Sequence, residues 1–315
     1  MLLCAVLLAA IPNGLFVDEE PLVLSPREGA PVHLEVTHRV DNETQAMGMK
    51  LDTVIEIREE ITLELLEAPA EAPLLVELRF GRVRGKIQAP IVGKIEFDSA
   101  EPKDSHPQIF EAKVREFLMR SGKAVQLQVT SRGRVLDVDG FEEIYAGTNV
   151  GDVLAKEGTV LTNESFVQDA QLYFPPLPAE APAELLHWQS DSPMTVFEHT
   201  IDLAPRFEIE ELAKTKATIT FLGRHKPEEE VKAAEASDKR EDAGEALLAG
   251  RTRITSASLQ GSYVVARADG LPQTAEITRI VAVDVPNPFG GDPLPTYTKQ
   301  STVVKRLAVK EKPQN

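Results

Sequence analysis

The chain is 315 residues long and carries 50 acidic against 34 basic residues, a formal charge of −16. That length allows a large buried core and makes two lobes the default expectation. The charge excludes nucleic acid or an anionic membrane as the partner of the chain as a whole, because such binding draws on clustered Lys and Arg.

Residues 2–11 are almost entirely apolar and run into Pro12-Asn13-Gly14, a turn signal. The run suits the hydrophobic region of a signal peptide and is shorter than the ~20 apolar residues of a membrane-spanning helix. We read residues 1–17 as a signal peptide, and expect a secreted or periplasmic protein with no stable membrane span in the mature chain. No Lys or Arg precedes the run and no clean small-x-small cleavage site follows it, so a buried N-terminal strand or helix is the alternative. Cys4 is the single cysteine and lies within this run. The mature chain is therefore expected to have no disulfide framework, thiolate nucleophile or Cys-based metal site.

Val32, Leu34, Val36 and Val40 alternate with polar residues, the period-two signature of a half-buried strand. Leu51, Ile55, Ile57, Ile61, Leu63 and Leu65 share one parity, and Asp52, Glu56, Arg58, Glu60 and Glu64 the other. Leu74, Val76, Leu78 and Phe80 repeat the pattern. Strands this long with one wet face imply a large antiparallel sheet. Between residues 109 and 118 the period becomes helical, and Gly122 stands where a helix cap is expected. Val125, Leu127 and Val129, then a Gly-containing turn at 131–134, then Val135, Leu136 and Val138 read as a hairpin. Asp139 and Glu142 have capping-box spacing and predict a short helix through Tyr145. A further helix is expected around 166–174, ending at Pro175-Pro176.

Four prolines between residues 175 and 182 mark the best linker. The strand signal returns at Phe197, Ile201 and Leu203, and again at Ala217, Ile219 and Phe221. Residues 228–244 are rich in Glu, Lys, Asp and Ala with little apolar periodicity, a solvated helix or insertion. Strands follow at 254–265 and 275–285 with Asp269-Gly270 as their turn, and a last one at 302–309. The fold class is α+β, mainly antiparallel β: two similar lobes of long curved sheets with a few covering helices. Residues 25–174 form the first lobe, 175–190 the Pro-rich linker, and 191–311 the second lobe with a charged insert near 226–250.

Three segments carry a family resemblance. They are Val125-Gln-Leu-Gln-Val-Thr-Ser-Arg-Gly-Arg-Val-Leu-Asp-Val-Asp-Gly140 after a helix, Phe174-Pro-Pro-Leu-Pro178 followed by Trp188, and Val264-Val-Ala-Arg-Ala-Asp-Gly-Leu271. Together they resemble exported bacterial proteins of unknown function built from long antiparallel strands. In that group the proline segment leads to Gly-Asp-x-Trp, whereas Leu185-Leu186-His187-Trp188 stands here. The resemblance implies a secreted β protein, distantly like the curved half-barrel of lipoprotein carriers, and brings no catalytic residues.

The short catalytic and phosphate-binding signatures are absent from the sequence. Histidines stand at 33, 38, 106, 187, 199 and 225. His33 and His38 differ by an odd number, which puts them on opposite faces of a strand. Asp137, Asp139, Glu142 and Glu143 form the densest acidic cluster, and Asp284, Asn287 and Asp292 a looser one. Neither matches a twelve-residue calcium loop, and Asp139 has a capping role to account for it. Asn42-Glu43-Thr44 and Asn163-Glu164-Ser165 fit the N-glycosylation triplet. Trp188 reads as a packing anchor. No catalytic, cofactor-binding or metal-ligating residue is assigned, and no cofactor is expected. The leading reading is a non-enzymatic envelope protein binding a lipid or other apolar ligand. The alternatives are a structural or protein-interaction module of the envelope, and a hydrolase with dispersed carboxylates.

Overall fold

The computed structural model describes residues 21–46, 49–68, 72–90, 92–101, 107–156, 161–183, 185–190, 193–196, 199–225, 253–285, 287 and 292–308. The expected signal peptide at 1–17, Cys4, His106, Phe197 and the charged insert near 226–250 lie outside them.

In chain order the elements are β1 (Val32–Ala46), β2 (Met49–Glu67), β3 (Leu74–Ala89), β4 (Gly93–Asp98), α1 (Gln108–Arg120), β5 (Ala124–Val129) and β6 (Val135–Asp139). Then follow α2 (Val150–Lys156), α3 (Asn163–Ala170), β7 (His187–Gln189), β8 (Pro193–Val196), β9 (His199–Asp202) and β10 (Arg206–Leu212). The chain closes with β11 (Lys216–His225), β12 (Arg253–Ala266), β13 (Pro272–Val285) and β14 (Leu294–Arg306). Twelve strands form one open sheet in the order β6-β5-β3-β2-β1-β14-β13-β12-β11-β10-β7, with β4 beside β3, and β8-β9 is a separate hairpin. Among the described residues every pairing is antiparallel. The protein is thus mainly antiparallel β with a few short helices.

The alternation read from the sequence fixes which face is buried. Val32, Leu34 and Val36 on β1, Ile57, Ile61, Leu63 and Leu65 on β2, and Val76, Leu78 and Phe80 on β3 all point into the core. Strand β1 lies between β2 and β14, with Val36 level with Glu59 on one side and Val304 on the other. Residues from both sides of the Pro-rich stretch therefore share one sheet. That stretch is itself packed, with Phe174, Pro175, Leu177 and Pro178 buried. Arg132 holds it by donating to the carbonyls of Pro178 and Ala179, at 2.6 and 3.0 Å. Residues 187–189 are the edge strand β7, paired with β10.

The sheet curls. Val135 on β6, at one end of the strand order, and Phe207 on β10, near the other, line the same cavity. Residues 22–25 tie the β5–β6 turn to the β12–β13 turn. Leu24 donates to the Ser131 carbonyl in the β5–β6 turn at 2.8 Å, and Ser25 to Asp269 in the β12–β13 turn at 3.0 Å. Helix α1 leaves the sheet after β4 and returns at β5, where Gly122 (φ 76°) turns the chain and donates to the Phe80 carbonyl, while Phe80 N donates to the Lys123 carbonyl, both at 2.8 Å. A smaller apolar cluster of Ile57, Val83, Ile87, Ile95, Phe97 and Val114 seats this helix.

Two glycines admit aromatic rings onto the sheet. Gly85 faces Phe97 across β3–β4, and a Cβ there would stand 2.1 Å from the ring. Gly261 faces Phe221 in the same way, with a Cβ 2.9 Å from its ring and 2.2 Å from the Glu276 carbonyl. Covering a strand glycine with a cross-strand ring supplies the apolar contact that the glycine lacks. We expect Gly85→Ala to cost about 1–3 kcal/mol by overpacking, and distinctly less in a Phe97→Leu background. Urea unfolding of the two single variants and the double variant measures this coupling, and strict additivity would contradict the ring-over-glycine account.

Candidate functional site

Two features of the core face are not explained by simple packing. The first is a row of polar side chains across the middle of the sheet, where the strands carry apolar residues above and below. Glu59 sits in the β2 stripe between Ile57 and Ile61 and is fully buried. His38 continues the β1 stripe after Val36, and Thr302 precedes Val304 on β14. His38 and Thr302 are directly paired across β1–β14, with Nδ1 and Oγ1 3.0 Å apart. Arg279 interrupts the β13 stripe between Ile277 and Val281, two residues beyond the Ile277 that pairs with Thr302.

Helix α1 lowers two more charges onto this row. Arg120 donates to Glu116 Oε1 at 2.5 Å and to the Tyr145 hydroxyl at 2.9 Å, and stands 3.9 Å from Glu59. Lys113 meets the other Glu116 oxygen at 2.7 Å. The Arg120 guanidinium also lies over the rings of Phe117, Phe141 and Phe80, at 5.0, 5.3 and 6.0 Å. The four-residue spacing of Glu116 and Arg120 puts both on one helix face. A buried carboxylate costs several kcal/mol unless paired and hydrogen-bonded. Glu116 is paired with two cations, with Oε1 hydrogen-bonded by Arg120 and Oε2 meeting Lys113 as an ion pair. Glu59 falls short of that condition, since neither of its oxygens has a hydrogen-bond partner.

The acid–base consequences follow. Burial pushes the Glu59 carboxyl up, against the pull of Arg120. Glu116 is opposed by burial, yet Lys113 and Arg120 hold it below the usual carboxylate range. Burial drives the Tyr145 hydroxyl up to about 12. His38 is brought from 6.5 down to about 4, by burial first, with Arg120 and Arg279 adding to the effect and Asp169 opposing it. His38 is therefore neutral at pH 7, and its 3.8 Å approach to Glu59 is no ion pair there.

The second feature is a cavity of about 220 Å³ beneath the second half of the sheet. Phe207, Phe221, Leu259, Tyr263 and Ile277 wall it from β10–β13, and Val167, Leu172 and Pro176 close it from the α3 side. The wall belongs to a cross-strand ladder of rings. Trp188 stacks on Phe207 at 5.5 Å, Phe207 meets Phe221 at 5.2 Å, and Phe221 meets Tyr263 at 5.5 Å. Gln171 reaches the cavity too, but its amide is spent on structure. It accepts from Val135 N at 3.0 Å and donates to the Gly133 and Phe174 carbonyls, both at 2.8 Å.

The solved structures similar to this chain include three that cover most of it. DynF from the dynemicin biosynthesis pathway of Micromonospora chersina is 8% identical, with 93% of this chain and 88% of that one covered and a TM-score of 0.26. An outer membrane channel from Pseudomonas putida F1 is 9% identical, with 90% and 97% covered and a TM-score of 0.23. A DUF1329 family protein from Desulfovibrio piger is 7% identical, with 88% and 87% covered and a TM-score of 0.16. Scores this low carry no argument about fold or function. No family model matches the chain, and no curated protein matches it.

The residues singled out from sequence are placed as follows. His33 bonds Thr62 on the opposite face from His38. His187 lies 3.5 Å from Glu208 on the surface. Asp137, Asp139, Glu142 and Glu143 are exposed, and no group of three or more His, Cys, Asp and Glu among the described residues has a metal-binding arrangement. The expected helix at 139–145 is a single 3-10 turn, Glu142–Ile144, without a side-chain cap. The capping box is at Thr162 and Ser165 instead, opening α3. Asn163 has a structural role, its Oδ1 accepting from Phe141 N and Glu142 N at 2.9 and 3.2 Å. Trp188 anchors the ring ladder, as its packing role predicts. Glu59, Arg120, Glu116 and Arg279 were not singled out, although the first and last interrupt apolar stripes at the buried parity.

Because the folded-state value of His38 is lowered, its contribution to stability is complete above pH 6.5 and is lost as the pH falls towards about 4. Glu59, with a raised value, acts in the opposite sense, so the comparison with a variant isolates the histidine. Each unit is ~1.4 kcal/mol, so wild type is expected to lose up to about 3 kcal/mol more than His38→Gln across that window. Urea midpoints at several pH values check this, and parallel profiles would contradict the buried, neutral assignment.

Proposed function

We propose that this is a non-enzymatic binding protein of the cell envelope that holds an apolar ligand under the curled half of its sheet. The cavity of about 220 Å³, walled mainly by rings and aliphatic side chains, carries the reading. Its size is below the ~300–1,000 Å³ of sites for drug-sized molecules and above the ~150 Å³ apolar cavity that stays dry and takes benzene. A ring or a single short acyl segment fits. The apolar run at residues 2–11 supports the exported part of the reading. No helix among the described residues is long and apolar enough to cross a membrane.

Two observations bear on the competing functions. The buried carboxylates, Glu59 and Glu116, sit among cations in the core and do not converge in an open cleft as hydrolysis requires. The outermost strands, β6 with five residues and β7 with three, offer little edge for strand addition. The ligand reading is the one that uses what the fold leaves open.

The chain has one tryptophan, Trp188, and it stacks on a ring of the cavity wall. Titration with a small apolar probe such as 1-octanol is expected to change its emission saturably. Leu259→Phe, which adds bulk inside the cavity, is expected to abolish that response while leaving the far-UV circular dichroism unchanged. No response in the wild-type chain at saturating probe would overturn the reading.

A further inference from the structure

The charge of the cavity differs from that of the chain. The protein carries −16, yet among the described residues the two charged side chains that line the cavity are arginines, Arg134 and Arg279, and none is acidic. Arg134 is exposed at the rim, while Arg279 is largely enclosed, with 16% of its side chain accessible. Arg279 interrupts the apolar stripe of β13 and directs a fixed cation beside the ring ladder. Its guanidinium donates to the Gln168 carbonyl at 3.2 Å and stands 3.8 Å from Asp169, too long for a hydrogen bond. Asp169 is about half exposed, so water screens this pairing.

A sheltered arginine next to an apolar wall matches a ligand with one negative end and one apolar end. The guanidinium is planar, always charged, and presents paired donors that fit the two oxygens of a carboxylate. A cavity of about 220 Å³ leaves space for one short chain or ring behind it. We infer that the ligand is a single-chain carboxylate amphiphile, its acid group held by Arg279 and its apolar part laid against Phe207, Phe221 and Tyr263. Arg134 at the rim draws the anion in and is not required to hold it. This rests on the proposed binding function and adds the ligand's head group to it.

The test compares octanoate with 1-octanol at mildly alkaline pH, read by Trp188 emission and by calorimetry, in the wild type, Arg279→Met and Arg279→Lys. The wild type should bind octanoate at least about tenfold more tightly than octanol, the scale of one charge-assisted pairing. Arg279→Met should bring the two ligands within about twofold of each other while still binding octanol, which also shows that its fold is intact. Arg279→Lys, which keeps the charge and loses the paired donors, should show a preference for the acid between those of the wild type and Arg279→Met. Equal wild-type affinities for the two ligands would overturn the head-group assignment and leave the apolar site standing. So would an acid preference that survives in Arg279→Met. Failure of the wild type to bind either ligand would instead remove the binding reading itself, and this inference with it.

Discussion

The pairing of β1 with β14 is the contact on which the rest of the structure depends. It brings residues 34–44 against 296–306, so the first and last long strands of the chain are neighbours in the middle of the sheet. Without it, the β2–β6 side and the β10–β13 side would each have an open edge and half a core. With it, one apolar face runs across all the long strands, and burying that face is what curls the sheet over α1, α3 and the proline segment. The curl then sets the cavity, because β6 and β10 approach one another across a gap that residues 167–176 fill only in part.

The polar row lies at this central pairing. Its energetic effect is mixed: Arg120 and Glu116 are well matched, whereas Glu59 is buried without a hydrogen bond. Replacement of such groups by apolar residues is often neutral or stabilising elsewhere, so the row is poorly explained as a source of stability. Register is a better physical account. A one-residue slip of β1 would turn its apolar side chains to solvent, but a two-residue slip would keep them buried. The short β1–β2 connection and the polar row distinguish the native register from that second one, since a slip of β1 would part His38 from Thr302 and from Glu59.

Much of this fold is legible in the sequence, for a simple reason. Period-two patterning reports which face is wet, and here nearly every long strand has one wet face. The strands read over 32–40 and 51–65 and the hairpin around the 131–134 turn follow from it, and the helix ending before Gly122 follows from the change to helical period. The pattern weakens where burial is partial or the strand is short. Strand β4 has six residues and β10 has a register shift after Ile209, and neither stands out. Pairing partners more than two hundred residues apart, as in β1–β14, leave no local trace. Of the candidate site, the sequence held one readable signal: Glu59 between Ile57 and Ile61, and Arg279 between Ile277 and Val281, are charges at buried parity. The cavity itself is a product of curvature, and its Phe207, Phe221 and Tyr263 look in sequence like ordinary strand residues.

The most direct test of the central pairing is native-state hydrogen exchange resolved by residue. Amides of β1 and β14 that bond across their junction are expected to be among the slowest and to open only with global unfolding, so that one free energy describes both halves. If those amides exchange earlier, by an opening that leaves β2–β3 and β11–β13 protected, then the halves are separate cooperative units and the sheet is not held at its centre.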